Sequence, residues 1–189
     1  DEVVGAPAAS PRRRQAGGLY GVRTFGEPPR QVKVIMLDTR YQRGDHAVPS
    51  VGAISWLPSP GNVAGLVRSA CALLGIGSQE DLLGSEEQWA WLERELQDSS
   101  AAAHLLVSSV QVLTTSPPVE SWGHFPHSRH RLLKLLAKHR PAGALLLSGD
   151  VHYAELLGGG GIAPSDDHTN QDLLEVTSSG LTHSCADKL

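Results

Sequence analysis

An uninterrupted aliphatic run that ends in Gly-Asp-x-His constrains the fold of this chain more than any other feature. The run covers residues 144–147, and Asp150 and His152 follow it after Ser148 and Gly149. A short aliphatic run bounded by glycine is typical of a strand that is buried on both faces of a sheet. In open α/β sheets, ligands bind just beyond the carboxyl ends of such strands. The sequence therefore predicts a site at Asp150 and His152.

These two residues have two interpretations. Residues two apart at an extended strand end point to the same side, so a carboxylate and an imidazole there can bind one divalent cation. Alternatively, Asp150 caps the following turn and His152 is a histidine whose hydrogen bonds are satisfied within the protein. The bare motif slightly favours the second interpretation, and its surroundings have to decide between them.

The composition is that of one ordinary globular domain. The 189 residues are 40% hydrophobic and 19% charged, with a formal net charge of −4. This charge, without long charged runs, argues against nucleic acid or an anionic membrane as the main partner. No run approaches 18 apolar residues, so no transmembrane segment is predicted. Cys71 and Cys185 lie far apart and indicate neither a zinc knuckle nor a disulfide framework.

The rest of the chain alternates between strand and helix patterns. The predicted elements are strands over residues 19–25 and 32–37, a helix after residue 85, a strand over 104–113, a helix over 126–139, and strands over 144–147 and 173–180. The first two strands form an antiparallel pair, and the later alternation predicts parallel pairing with right-handed crossovers. The fold class is therefore α/β. Residues 44–84 are rich in proline and glycine and predict a long loop insertion with one short helix over 62–74.

A capping box marks the start of the first long helix. The Ser85 oxygen is expected to accept the amide of Gln88, and the Gln88 side chain to reach back toward Ser85. Trp89, Leu92 and Leu96 then recur at helical spacing, so this face of the helix should cover the sheet.

Polar residues at other strand ends are further candidates for the site. The loop from Asp38 to Tyr41 follows the second strand, and its position predicts that it faces the same edge as Asp150. Ser108, Ser109 and Gln111 interrupt the next strand, and they either bond neighbouring loops or line a polar pocket.

Three histidines, His124, His127 and His130, share the spacing of one helix face. No carboxylate or cysteine lies between them, whereas arginines do. This pattern favours a solvated basic face over a metal site.

Six segments, in a fixed order, carry a resemblance to a known family. They are VIMLDTRY at 34–41, LGSEEQWAWL at 83–92, VSSVQV at 107–112, ESWGHFP at 120–126, SGDVH at 148–152 and EVTSSG at 175–180. Together they resemble the PhoD-like alkaline phosphatases, which are calcineurin-like metallophosphoesterases. The resemblance spans most of the chain and is far more specific than any single motif.

The resemblance implies a partial metallophosphoesterase-like fold, a two-layer β-sandwich flanked by helices, with residues 1–189 as the C-terminal part of the domain. It implies hydrolysis of small phosphate esters by a water that metal ions activate, with calcium and iron as the expected ions. Asp150 and His152 match the metal-binding Asp-x-His of the family, and an imidazole such as that of His152 assists the leaving oxygen. Arg40 is expected to contact a phosphate oxygen or to fix Asp38, and Trp122 to line the pocket or pack in the core.

The same resemblance leaves a second function open. The earlier metal-binding segments of the family have no counterpart in this sequence, and one aspartate and one histidine cannot hold two hard cations. The chain is therefore expected to be part of a metal-dependent phosphatase and inactive by itself. The alternative is a non-catalytic scaffold or interaction domain that keeps the sheet without the metal centre.

Overall fold

A six-stranded mixed sheet and three helices make up the structure, a computed structural model that describes residues 18–47, 58, 60–159 and 173–179. The strands are β1 (Gly21–Phe25), β2 (Val32–Met36), β3 (Ala103–Val107), β4 (Ala144–Ser148), β5 (Ala154–Gly159) and β6 (Leu173–Ser178). The helices are α1 (Pro60–Leu73), α2 (Glu86–Leu96) and α3 (Pro126–His139), and a 3-10 turn covers Trp122–His124.

The sheet has the strand order β1-β2-β3-β4-β6-β5. Strands β2, β3, β4 and β6 are parallel, whereas β1 and β5 pair antiparallel at the two edges. The α/β class, the initial antiparallel pair and the parallel pairing are thus confirmed. Because β4 is central and parallel to β2 and β3, the carboxyl ends of these three strands meet at one edge of the sheet.

One face of the sheet forms the core. Ile35, Leu106 and Leu146 stand side by side on β2, β3 and β4, and all three are fully buried. The helices cover them with apolar side chains, namely Trp89, Leu92 and Leu96 of α2 and Leu132, Leu133 and Leu136 of α3. Burying one such aliphatic side chain contributes about 1.5–3 kcal/mol, so this layer is the main source of stability. The predicted packing role of the α2 face is confirmed.

The opposite face of the sheet is also aliphatic but less covered. Val34, Leu105, Leu145 and Leu174 form one row across four parallel strands. The first three are half-buried, and Leu174 is 56% exposed. A second sheet, as a two-layer sandwich requires, is not among the residues that the structure describes.

The start of α2 confirms half of the predicted capping box. Ser85 is the N-cap, and its hydroxyl accepts the Gln88 amide at 3.2 Å. The Gln88 side chain does not return to Ser85. It is fully buried, and its amide group accepts the Asp38 N–H at 2.8 Å and donates to the Asp38 carbonyl at 3.1 Å. A side chain that was predicted to act locally therefore ties α2 to the end of β2.

The strand predicted over residues 104–113 is shorter than expected. β3 ends at Val107, and the Ser108 hydroxyl donates to the Val110 carbonyl at 2.7 Å, which turns the chain. Beyond the turn, Gln111 forms an isolated parallel bridge with Ser121. The aliphatic residues after Ser108 extended the strand pattern, but the hydroxyl competes with the ladder for backbone partners.

The predicted insertion contains a helix close to the expected place. α1 begins two residues before the predicted start and ends one residue before the predicted end. Leu66, Leu73 and Leu74 at this helix are largely exposed. Within the described ranges, no helix is both long and apolar enough to cross a membrane.

Candidate functional site at the carboxyl edge of the sheet

The loops that follow β2, β3 and β4 meet at the carboxyl edge of the sheet. They bring Arg40, Ser109 and Asp150 into direct contact, although these residues are up to 110 positions apart in the chain. Because parallel strands all end at this edge, residues just beyond them converge there. The predicted position of Asp150, at the carboxyl end of a central strand, is confirmed.

Asp38 builds the loop that presents Arg40. Its carboxylate is buried, and Oδ1 accepts the amides of Arg40 and Tyr41, each at 2.9 Å. Oδ2 accepts the amide of Leu19. A carboxylate that caps three backbone amides stabilises a tight loop. Asp38 thus fixes the Arg40 backbone, whereas the Arg40 side chain turns away to other partners.

The Arg40 guanidinium lies between two carboxylates and a hydroxyl. Nη2 donates to Asp150 Oδ1 at 2.6 Å, Nη1 to Glu120 Oε1 at 3.3 Å, and Nε to Ser109 Oγ at 3.0 Å. Its side chain is still 45% exposed. The contacts hold one orientation of the planar group, while part of it faces solvent.

Glu120 is the anionic centre beside Arg40, and the sequence did not single it out. Its Oε1 accepts from Arg43 Nη1 at 2.6 Å and lies 3.3 Å from His46 Nε2. The hydrogen bond from His46 and the charges of His46, Arg40 and Arg43 together lower the pKa of Glu120 to about 2, against burial, which raises it. Glu120 is therefore ionised at neutral pH. The sequence signal that could have indicated a nearby anion is the regular spacing of Arg40, Arg43 and His46.

Asp150 and His152 both have left-handed backbone conformations, with φ of 77° and 61°. The segment after β4 is thus a tight turn and not an extended strand end, so the argument from two-residue alternation does not apply to it. The Asp150 side chain is 36% exposed and forms an ion pair with Arg40. His152 is exposed.

The polar residues after β3 take different roles. Ser109 reaches the site, where its hydroxyl contacts Arg40 and the Thr39 hydroxyl. Ser108 instead accepts the indole N–H of Trp122 at 3.0 Å. The Gln111 amide donates to Glu155 at 2.8 Å and Thr177 at 3.0 Å. Ser108 thus bonds a neighbouring loop, as one interpretation predicted, whereas Gln111 bonds side chains of β5 and β6. Trp122 is fully buried, so its predicted role in core packing is the observed one.

A buried carboxylate supports the turn beneath the site. Glu175 of β6 is fully buried and accepts the amides of Val112 and Leu113 at 2.8 and 2.7 Å. Arg129 donates to the carbonyls of the same two residues. The loop after β3 is thus held from both sides.

The three histidines of residues 124–130 do not form one face. His127 and His130 are exposed, as a solvated basic face requires. His124 is half-buried, and its Nε2 lies 2.9 Å from the Pro117 carbonyl oxygen. Burial lowers the pKa of His124, so its ring is predominantly neutral at pH 7. The prediction was therefore wrong for His124, because it precedes α3 and packs inward from the 3-10 turn.

The part of the chain that the structure describes contains no group of three or more histidine, cysteine or acidic residues arranged to hold a metal ion. Asp150 and His152 offer donor atoms of suitable chemistry, but two side chains do not complete a coordination shell.

Comparisons with known proteins give a matching family model and a solved structure of similar fold. A family model described as PhoD-like phosphatase matches residues 6–185. A solved structure titled "Structure of PhoD" superposes with a TM-score of 0.53 at 19% sequence identity. That match covers 84% of this chain and 28% of the solved chain, so this chain spans less than a third of that structure. No curated protein matches.

Proposed function

The chain belongs to the PhoD-like phosphatase family, and we propose that it forms the phosphate-binding side of a metal-dependent hydrolase of small phosphate esters. One observation carries the proposal. Arg40 is a half-exposed guanidinium held in one orientation, at the edge of the sheet where ligands bind in α/β folds.

Arg40 has hydrogen-bonding capacity left for a substrate. A guanidinium has five N–H donors, and the contacts to Asp150, Glu120 and Ser109 use three of them. The two that remain can bind two oxygens of one phosphoryl group. Such charge-assisted pairs are about twice as strong as neutral hydrogen bonds. The two carboxylates hold the guanidinium in place before the phosphate arrives, which lowers the entropic cost of binding.

In this proposal Asp150 and His152 contribute to binding a metal ion. A carboxylate oxygen and an imidazole nitrogen are ordinary ligands for divalent and trivalent cations. Calcium and iron are the ions that the family leads us to expect. Two side chains are too few for a complete metal site, so further ligands are needed. The role of the His152 imidazole in assisting the leaving oxygen also remains a prediction.

The proposal also includes a loop insertion over residues 44–84. They connect β2 to α2 and carry α1, whose outer side chains are exposed.

A titration with inorganic phosphate tests the role of Arg40 on the 189-residue chain itself. In amide NMR spectra, phosphate should shift the signals of residues 39–41, 109 and 150. Arg40→Gln should weaken this binding at least about tenfold, since a charged hydrogen bond contributes about 1.5–3 kcal/mol. Arg131→Gln is the matched control, because Arg131 is similarly exposed and paired with Glu86 on the helical side.

The control should bind phosphate within about twofold of the parent chain. If phosphate shifts none of the named signals, or if both variants lose affinity equally, Arg40 is not a phosphate ligand.

The scaffold alternative has one observation in its favour. Arg40 is neutralised by Asp150 and Glu120, as in a purely structural ion-pair network. A scaffold predicts that Arg40→Gln lowers stability without any effect of phosphate on the parent chain. The same titration, together with urea denaturation of both variants, therefore distinguishes the two functions.

A further inference from the structure

A cavity of about 260 Å³ lies between α1 and the segment that leads into α3. Its walls come from α1, from residues 75–78, from His46 and Ala47, and from the loop around Pro117 and His124. Small-molecule sites usually measure roughly 300–1,000 Å³, so this cavity has room for one compact group.

One residue that lines the cavity, His46, contacts the same carboxylate as Arg40. His46 lines the cavity, and its Nε2 lies 3.3 Å from Glu120 Oε1. Arg40 Nη1 lies at the same distance from that same oxygen. The two nitrogens are therefore at most twice this distance apart. This separation is short enough for one phosphate ester to contact both side chains.

Apolar surface predominates in the cavity wall, and the polar side chains of Arg68, Ser78 and Thr115 also line it. Ala72, Ile76, Pro117 and Pro126 supply apolar surface. The His46 and His124 rings meet edge to face, with centroids 5.6 Å apart, and offer aromatic edges. Burial lowers the pKa of His124, so that ring adds an uncharged wall at neutral pH. Aromatic ligands gain from ring contacts in addition to the area that they bury.

We propose that this cavity binds the leaving group of the substrate and selects aryl phosphate monoesters over esters of small aliphatic alcohols. The proposal rests on the phosphate-binding function of Arg40 described above. The two can fail separately, because aryl binding in the cavity needs neither Arg40 nor a metal ion.

The first test measures binding of 1-naphthol, the alcohol alone, to the 189-residue chain. Naphthol should shift the amide signals of residues 72, 77, 115 and 123 and slow the alkylation of Cys71, which lines the cavity as a free thiol. Ala72→Phe, which fills the space, should weaken binding at least about tenfold, a loss of about 1.4 kcal/mol.

Leu66→Phe is the matched control, since Leu66 lies on the same helix, is largely exposed and does not line the cavity. It should change naphthol affinity less than about twofold. Because the ring introduced by Ala72→Phe can also turn outward, Cys71→Phe serves as a second filling variant. Shifts located elsewhere, or unchanged binding in both filling variants, overturn the proposal.

The second test measures steady-state hydrolysis of two phosphate esters by the natural protein. Ala72→Phe should raise the KM for 1-naphthyl phosphate about tenfold, while the KM for ethyl phosphate and both kcat values stay within about twofold. Equal KM values for the variant and the parent protein on 1-naphthyl phosphate overturn the leaving-group role and leave phosphatase function intact. If the parent protein hydrolyses neither ester, the phosphatase function fails, whatever naphthol does.

Discussion

Ion pairs are the main contacts between the side chains of the candidate site. Arg40 and Arg43 are both cations, and Asp150 and Glu120 are both anions in direct contact with them. Removing Arg40 leaves Asp150 without its cationic partner, and removing Glu120 leaves Arg43 without its anionic partner. Substitutions that keep shape but delete charge are therefore the informative ones at this scale.

Asp150→Asn separates a metal-binding role from a turn-forming one. Asn tolerates the left-handed backbone of residue 150 about as well as Asp, so the fold should survive. Losing the negative charge should lower bound metal and turnover of the natural protein by about 10–100-fold or more. Metal analysis and steady-state kinetics measure this, with circular dichroism to verify folding.

Asp98→Asn is the control, because Asp98 also has a positive φ and is exposed after α2. It should alter neither metal content nor turnover. Unchanged activity in Asp150→Asn would assign Asp150 to the turn alone.

Glu120→Gln should reduce the loss of folding stability that the chain shows as the pH falls from 7 to 2. The folded-state pKa of Glu120 is about 2 and the reference value is 4.5. The ionised side chain therefore stabilises the fold fully above about pH 4.5 and loses this contribution as the pH falls toward 2. The variant should be less stable by roughly 1–3 kcal/mol at pH 7, and the difference should vanish near pH 2.

Urea denaturation at several pH values measures that difference. Glu27→Gln, in the exposed turn between β1 and β2, is the control and should give a small, nearly constant difference. A difference between Glu120→Gln and the parent chain that does not change from pH 7 to pH 3 would show that the ion cluster does not contribute in this way.

At the scale of elements, one buried polar side chain of α2 bonds the residues that follow β2 and precede α2. The Gln88 amide makes three hydrogen bonds, two to Asp38 and one, at 3.0 Å, to the Leu83 carbonyl. Asp38 in turn fixes the backbone of Arg40. The position of the helix and that of the site are thus coupled through buried polar contacts.

Gln88→Met should therefore destabilise the chain by about 2–5 kcal/mol. Methionine keeps the volume, but it leaves two buried backbone groups of Asp38 without partners, at about 1–3 kcal/mol each. Gln97→Met at the exposed end of α2 is the control and should change stability by less than about 0.5 kcal/mol. Urea denaturation gives both values, and a loss below about 1 kcal/mol for Gln88→Met would contradict the coupling.

At the scale of the whole molecule, the elements that the sequence predicted correctly are those with a repeated apolar pattern. The aliphatic run of β4 and the Trp89, Leu92 and Leu96 spacing are repeated apolar patterns, and both elements appear as expected. Long-range polar partners have no such pattern. The ties from Gln88 to Asp38 and from Glu175 to residues 112–113 could not be predicted, because they depend on which loops the fold brings together.

The candidate site was predictable for the same reason only in part. Asp150 and Arg40 follow strands, and strand ends can be recognised in a sequence, so both were expected at one edge. Glu120 lies in an irregular loop, and only its three partners at residues 40, 43 and 46 show its importance. The backbone after β4 agrees with the turn interpretation of Asp150 and not with an extended strand end. The sequence left both open because positive φ values for Asp150 and His152 have no sequence signature as strong as glycine.

The 189-residue chain alone should bind cations weakly and hydrolyse aryl phosphates negligibly. A calcium ion needs six to eight oxygen ligands, whereas the two candidate side chains, Asp150 and His152, offer one carboxylate and one imidazole. Asp150 Oδ1 is also paired with Arg40 at 2.6 Å, and the nearby guanidinium charge weakens the attraction of this carboxylate for a cation. We expect a calcium dissociation constant above about 1 mM by calorimetry, weaker than that of dedicated extracellular calcium modules. Arg40→Gln should tighten calcium binding by freeing the carboxylate. Micromolar calcium binding, or robust hydrolysis of 1-naphthyl phosphate by this chain, would mean that further ligands lie among its other residues.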